Sequence, residues 1–266
     1  MQGYFDSHAH YFDERFTREV PEGGVERLLA SLFSSGAVSH IINVGTDIPT
    51  SRAAIRQAAA YPQMFVAAGV HPGDAMRYPD MAGELAALDA LLRDRRTHKI
   101  CALGEIGLDY HYEETDKKRQ AEWFDAQLSL AERQDLPVII HDREAHGDCF
   151  AAVCAHSGVR GVFHSYSGSL EMAQDLIRRG FYISFSGTVT FKNATKVEAV
   201  AAALPHDRVL IETDCPYLAP HPHRGELNHS GYLAYTAARL AELWGMETAE
   251  VIRVTAENAK ILFGVK

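Results

Sequence analysis

Short runs rich in β-branched and aromatic residues alternate along this chain with longer Ala- and Leu-rich amphipathic runs. That alternation constrains the fold more than any other feature. The strand candidates are residues 4–8, 39–44, 65–70, 100–104, 137–141, 161–164, 181–185 and 208–212. Between them lie helix candidates such as residues 117–134, where Phe124, Leu128 and Ala131 repeat at helical spacing. Strands that alternate with helices build a parallel sheet, because parallel neighbours need a long crossover. Eight is the count that closes such a sheet on itself, so the expectation is a (β/α)8 TIM barrel. A doubly wound open sheet is the alternative. The 266 residues, 47% hydrophobic, suffice for one large core. No internal repeat, low-complexity segment or Pro/Gly/Ser linker divides them, so residues 1–266 read as one domain.

Barrel enzymes carry their chemistry at the C-terminal ends of the strands, and here the suggestive polar residues fall at those ends. The first strand candidate runs into Asp6-Ser7-His8-Ala9-His10. Residues two apart on a strand face the same way, so His8 and His10 can grip one cation together. Glu105 directly follows the fourth apolar run and opens Glu105-Ile106-Gly107-Leu108-Asp109-Tyr110. A carboxylate placed there must be paired, hydrogen-bonded or metal-bound, because burying it alone costs too much. Its two oxygens could bridge two cations. His141 and His164 close the fifth and sixth runs, and the eighth leads into Glu212-Thr213-Asp214-Cys215-Pro216. Asp214 can ligate a metal or take a proton from water. Glu212, of the same parity one step deeper, suits an outer partner for a ligand histidine. Each residue alone has a structural alternative: a surface histidine pair, a salt-bridged glutamate, a rim ion pair. Together they place nitrogen and oxygen ligands on strands one, four, five, six and eight, all at one end. Such mixed ligation suits Zn, Mn, Ni, Co or Fe, with Mg at an oxygen-rich position. The Pro-, His- and Gly-rich residues 216–228 follow the eighth strand and form a candidate active-site loop. His40, His98, His156 and His206 have no suggestive neighbours.

Charge and composition narrow the partners. The net charge of −9 argues against a broad basic track for duplex nucleic acid, although bound cations could still attract an anion. No apolar run is long enough to span a membrane, and residues 1–6 lack the basic and apolar regions of a signal peptide. Cys101, Cys149, Cys154 and Cys215 form no CxxC pair and read as reduced thiols, which fits a cytoplasmic protein. No obligate protein partner is evident.

The ordered motifs resemble the TatD family of metal-dependent hydrolases, often described as deoxyribonucleases. The resemblance spans almost the whole chain. It runs through Asp6-Ser7-His8-Ala9-His10, Gly69-Val70-His71-Pro72, Gly104-Glu105-Ile106-Gly107-Leu108-Asp109-Tyr110 and His141-Asp142-Arg143-Glu144-Ala145. It continues through His164-Ser165-Tyr166-Ser167-Gly168, Glu212-Thr213-Asp214-Cys215-Pro216-Tyr217-Leu218, Arg224-Gly225, Asn258 and Leu262-Phe263. The resemblance implies an amidohydrolase-type barrel with two divalent ions (Mg, Mn, Zn, Co or Ni). His8, His10 and Asp214 would hold one ion, His141 and His164 the other, and Glu105 would bridge them. Asp214 and Glu105 are then the candidate catalytic residues, and His71, Arg143 and Arg224 are candidates for orienting substrate. The implied reaction is hydrolysis of phosphate esters, typically 3′→5′ exonuclease action on DNA.

Three departures from the family pattern stand out. Ser165-Tyr166 replaces a frequent Cys-Phe. Glu226-Leu227 stands where many members carry Lys-Arg. Asn228 is kept, but His229-Ser230 replaces Glu-Pro. Losing two positive charges near the mouth bears on the nuclease reading more than on the metal reading. The favoured expectation is a metal-dependent phosphodiesterase that attacks the end of single-stranded DNA. The alternatives are hydrolysis of a small phosphoester, ester or amide metabolite on the same barrel, or a non-enzymatic metal-binding protein. Relatives on this type of barrel often bridge their metals with a carboxylated lysine. A glutamate at that position favours the phosphodiesterase.

Overall fold

The computed structural model describes residues 3–20 and 23–266. Its strands are β1 (Tyr4–Ala9), β2 (Val38–Val44), β3 (Met64–Ala68), β4 (Ile100–Asp109), β5 (Val138–Arg143), β6 (Gly161–Phe163), β7 (Tyr182–Phe185) and β8 (Val209–Ile211). They lie side by side in sequence order, and every neighbouring pair is parallel. That order excludes the doubly wound alternative, whose sheet reverses direction at a switch point. The segment after β8 returns to β1 through a parallel bridge between Ala9 and Cys215. There the Asp214 amide donates to the His8 carbonyl at 2.9 Å and the His10 amide to the Cys215 carbonyl at 2.8 Å. The sheet thereby closes into the expected (β/α)8 barrel.

One apolar cluster draws Phe5, Ile42, Ala67, Ala102, Ile139, Val162, Tyr182 and Leu210 from all eight strands, as a filled barrel interior requires. Ala256, Ala259, Leu262 and Phe263 of the C-terminal helix Thr248–Phe263 join the same cluster. Helices cover the outside, so the strands are buried on both faces and read as continuous apolar runs. The Lys117–Gln134 helix has the bounds its periodicity predicts. The Asp116 side chain accepts from the Arg119 amide at its start, and Asp135 ends it in the left-handed region. Its inner face buries Trp123, Phe124, Leu128 and Ala131.

Among the strand ends that differ from expectation, two bear on the site. β4 does not stop at Gly104 but continues to Asp109, with all ten residues buried. Glycines weaken a strand reading from sequence, yet here they permit the close approach that extends it. A Cβ on Gly107 (φ +142°) would lie 1.9 Å from the His141 carbonyl oxygen. Glu105 is therefore inside a strand. β3, by contrast, stops at Ala68, where its pairing with Leu103 ends. His71 consequently does not end a strand. It sits on the following loop, tied by its amide to the Thr46 carbonyl at 2.8 Å.

Candidate metal centre

β1 delivers His8, β4 delivers Glu105, β5 delivers His141, and the residues just beyond β1, β6 and β8 deliver His10, His164 and Asp214. Their ligand atoms form two groups. In the first, Nε2 of His8 and Nε2 of His10 lie 3.0 Å apart. Glu105 Oε2 stands 3.4 and 3.7 Å from them, and Asp214 Oδ1 stands 3.6 and 3.3 Å from them. Four ligands about 2.0–2.1 Å from a zinc-like ion in a tetrahedron are separated by roughly 3.3 Å. The two histidine nitrogens lie at 3.0–3.7 Å from each other and from each carboxylate oxygen, near that spacing. In the second group, Glu105 Oε1 lies 2.8 Å from His141 Nδ1 and 2.8 Å from His164 Nε2, and those two nitrogens are 3.2 Å apart. Glu105 thus turns one oxygen to each group. The second group has three ligand atoms, the number that leaves a coordination position for water or substrate. The histidine and carboxylate donors fit divalent transition metals.

The backs of the rings show which nitrogens are free to ligate. His164 Nδ1 lies 3.2 Å from Glu212 Oε1, which also accepts from the Ser165 amide. His141 Nε2 lies 3.1 Å from Asp109 Oδ2. His10 Nδ1 donates to the Val44 carbonyl at 2.6 Å. Each contact holds a proton on the outward nitrogen and leaves the inward lone pair available. Asp6, fully buried, ties the first group together. It accepts from the His8 amide, from the amide and hydroxyl of Thr213, and from the Ser230 hydroxyl. It thereby fixes β1 against the backbone that carries Asp214.

Electrostatics follow from this crowding. Burial works to raise the Glu105 pKa, but the histidines around it, His164 foremost, outweigh it and hold the carboxylate well below its ordinary range. Asp214 is likewise kept low against burial by its His10 hydrogen bond and by His8. Burial depresses His164, yet Glu105 and Glu212 more than offset this and hold it well above its ordinary value. Burial drives His71 down to about 3, so the ring is neutral. The Gly73 amide donates to His71 Nδ1 at 3.0 Å, which puts the ring proton on Nε2, facing Glu105 Oε1 at 3.7 Å.

Two lobes open above the ligands, and His141, His164 and Asp214 line both. One, of about 440 Å³, is walled by Tyr166, Val197, Tyr217 and Leu218. The other, of about 860 Å³, is the more polar of the two and includes Asp13, Glu14, Asp74, Arg77 and His71. Arg143 lines both lobes. Of the three candidate substrate-orienting residues, the structure brings His71 and Arg143 to the mouth. Arg224 stands apart, its guanidinium 3.7 Å over the Phe191 ring, beside a separate outer depression. Glu226 turns away from the mouth. Its carboxylate takes the Tyr232 hydroxyl and His223 Nδ1, each at 2.9 Å. Ser230, one of the departures, is the residue that reaches Asp6. Sequence reasoning gave no role to Asp6, Asp109 or Tyr217. The register of β1 shifts between Asp6 and Ala9, so strand parity gave no signal for Asp6.

The chain matches the family described as TatD related DNase over residues 5–264. It is 40% identical to the "uncharacterized metal-dependent hydrolase YabD" of Bacillus subtilis over 264 residues, covering 98% of this chain and 99% of that one. The crystal structure of YjjV, a TatD homologue from Escherichia coli, superposes with a TM-score of 0.88 at 31% identity, covering 99% of this chain and 98% of that one. A TatD family hydrolase from Entamoeba histolytica shares the fold with a TM-score of 0.84 at 20% identity, covering 99% of each chain.

Proposed function

Because the chain belongs to the TatD family of metal-dependent hydrolases, we propose that it is a two-metal phosphodiesterase that removes nucleotides 3′→5′ from the ends of single-stranded DNA. The observation that carries this reading is Glu105, whose two oxygens face two separate groups of ligand atoms. His8, His10 and Asp214 would hold one ion and His141 and His164 the other, with Glu105 common to both. When bound, such ions polarise a phosphoryl oxygen and make water nucleophilic at neutral pH.

The chain's own groups supply the rest. Asp214 faces both lobes and is held ionised, so its carboxylate can take a proton from the attacking water. The His71 Nε2–H and the Arg143 guanidinium stand at the mouth and would orient the non-bridging phosphate oxygens. Glu212 and Asp109 keep His164 and His141 in the ligating tautomer. A mouth built from βα loops admits a strand end more easily than a continuous duplex.

One observation favours a second reading, a small phosphoester as substrate. The polar lobe sets Asp13, Glu14 and Asp74 against Arg77 and Arg143, which leaves little positive charge to follow a long backbone. The test uses linear and covalently circular single-stranded DNA of one sequence, with metal-reconstituted protein. Shortening of the linear strand alone from its 3′ end is expected. Equal cleavage of both would defeat the end-binding reading, and hydrolysis of small phosphoesters alone would favour the second.

A further inference from the structure

The smaller lobe and the ring that divides it from the larger one carry an inference that rests on the nuclease reading and goes further. Tyr217 lines the small lobe, the polar lobe and the outer depression, so it forms the partition among them. It is 45% exposed, one of the few large hydrophobic side chains left so open. Yet it is held firmly. Its hydroxyl donates to Asp13 Oδ2 at 2.7 Å, its amide to the Asp214 carbonyl at 2.9 Å, and its carbonyl accepts from Asn228 Nδ2 at 2.6 Å. Arg15, which lines the outer depression and neither lobe, stands 5.8 Å from the ring centre. A tethered aromatic face that lines the same lobes as His141, His164 and Asp214 is a stacking platform with its ordering cost already met by the fold.

We infer that the lobe walled by Tyr166, Val197, Leu218 and Tyr217 is a subsite for the nucleobase of the terminal nucleotide, with Tyr217 as its stacking face. The volume of about 440 Å³ falls at the low end for small-ligand pockets, which suits one nucleoside and not several. The apolar wall accepts a ring, and Asp142, Ser165, Ser167 and Thr188 on the same lining can meet the polar edge of a base. Arg143, common to both lobes, stands where the scissile phosphate would cross between them. The remaining strand would leave through the 860 Å³ polar lobe. Stacking on an aromatic ring is tolerant of base identity, so the subsite would recognise a base without selecting its sequence.

The test is equilibrium binding of 2-aminopurine deoxyribonucleoside 5′-monophosphate to the metal-loaded protein, read by quenching of its fluorescence on stacking. Wild type should quench it. Tyr217→Ala should weaken binding roughly 5- to 150-fold, the span reported for losing one base stack. Tyr217→Phe, which keeps the ring, should retain the quench. Val197→Trp fills the lobe from a different element and should also block binding, so the inference stays testable if the alanine variant does not fold. Absence of quenching in wild type, or equal binding by wild type, Tyr217→Ala and Val197→Trp, would overturn the subsite. Quenching by a protein that cleaves no oligonucleotide would sink the nuclease reading while leaving the subsite standing.

Discussion

Asp109→Asn offers the sharpest probe of the proposed metal centre, because on the proposed assignment it alters a residue that orients a ligand histidine without being a ligand. His141 turns Nδ1 toward Glu105 and His164, so its Nε2 must carry the proton that Asp109 Oδ2 accepts at 3.1 Å. Asp109 is buried and ionised. Burial would raise its pKa, but the hydrogen bonds from His141 and the His111 amide hold it low. Asparagine has the same shape without the charge. If its amide NH2 faces the ring, it favours the wrong tautomer, with the proton on Nδ1 and no lone pair for a metal. Loss of such an outer partner typically lowers metal affinity by about 10–100-fold, or roughly 1.4–2.8 kcal/mol. The second ligand group has three atoms, so weakening one is felt fully. A competition titration against a chromogenic chelator measures the change. The effect should vanish when His141 is already alanine, because the two residues act as one unit. Unchanged affinity in the single variant, or additive losses in the double, would refute the reasoning.

The other expectations concern the ligands and the mouth. Glu105→Gln removes a charge and one bridging oxygen and should lower occupancy at both positions; two tightly held metals per chain by elemental analysis would contradict it. Asp214→Asn should cost at least the ~10²–10⁴-fold attributable to general acid–base help, with melting temperature preserved after metal loading; a purely structural rim residue would reverse that pattern. Arg143→Ala should mainly raise KM, whereas Arg224→Ala, whose guanidinium sits over Phe191, should do so far less; equal effects would mean that the loop rearranges around substrate. Metal affinity should keep climbing with pH above 6.5, the ordinary histidine value. His164, His141 and His10 all hold protons more tightly than free histidine, and a cation must displace those protons. His8 is shifted the other way and adds nothing to this rise. A plateau already reached below pH 6.5 would show that the carboxylates do not shift these rings.

The convergence of the candidate ligands was legible in the sequence because each ends or follows an apolar run, and apolar runs with turn signals between them mark strands reliably. The barrel was legible for the same reason. β4 beyond Gly104 was not, because Gly104 and Gly107 read as breaks while in space they let β3, β4 and β5 approach one another. Asp109 lay hidden by that misreading. As a loop residue it had no reason to face His141, and only the extended pairing of β4 with β5 sets Gly107 opposite His141 and Asp109 opposite Arg143. Arg224 and Glu226 were invisible for another reason. Loop side-chain direction depends on contacts with Phe191, His223 and Tyr232 that carry no local periodicity.

The seam between β1 and the segment after β8 has a kinetic meaning. The hydroxyl of Thr213 meets the carboxylate of Asp6 across 207 residues of chain, and the same seam sets Asp214 beside His8 and His10. Contacts so distant in sequence form only after intervening loop entropy has been lost. The first group of ligands is therefore complete only when the ring has closed, whereas Glu105, His141 and His164 come from consecutive strands and can meet earlier. An ion at His8, His10 and Asp214 should act as a clasp on the finished barrel, slowing unfolding while leaving the folding rate nearly unchanged. A chain that springs open at this seam would release that ion first and keep the one at His141 and His164.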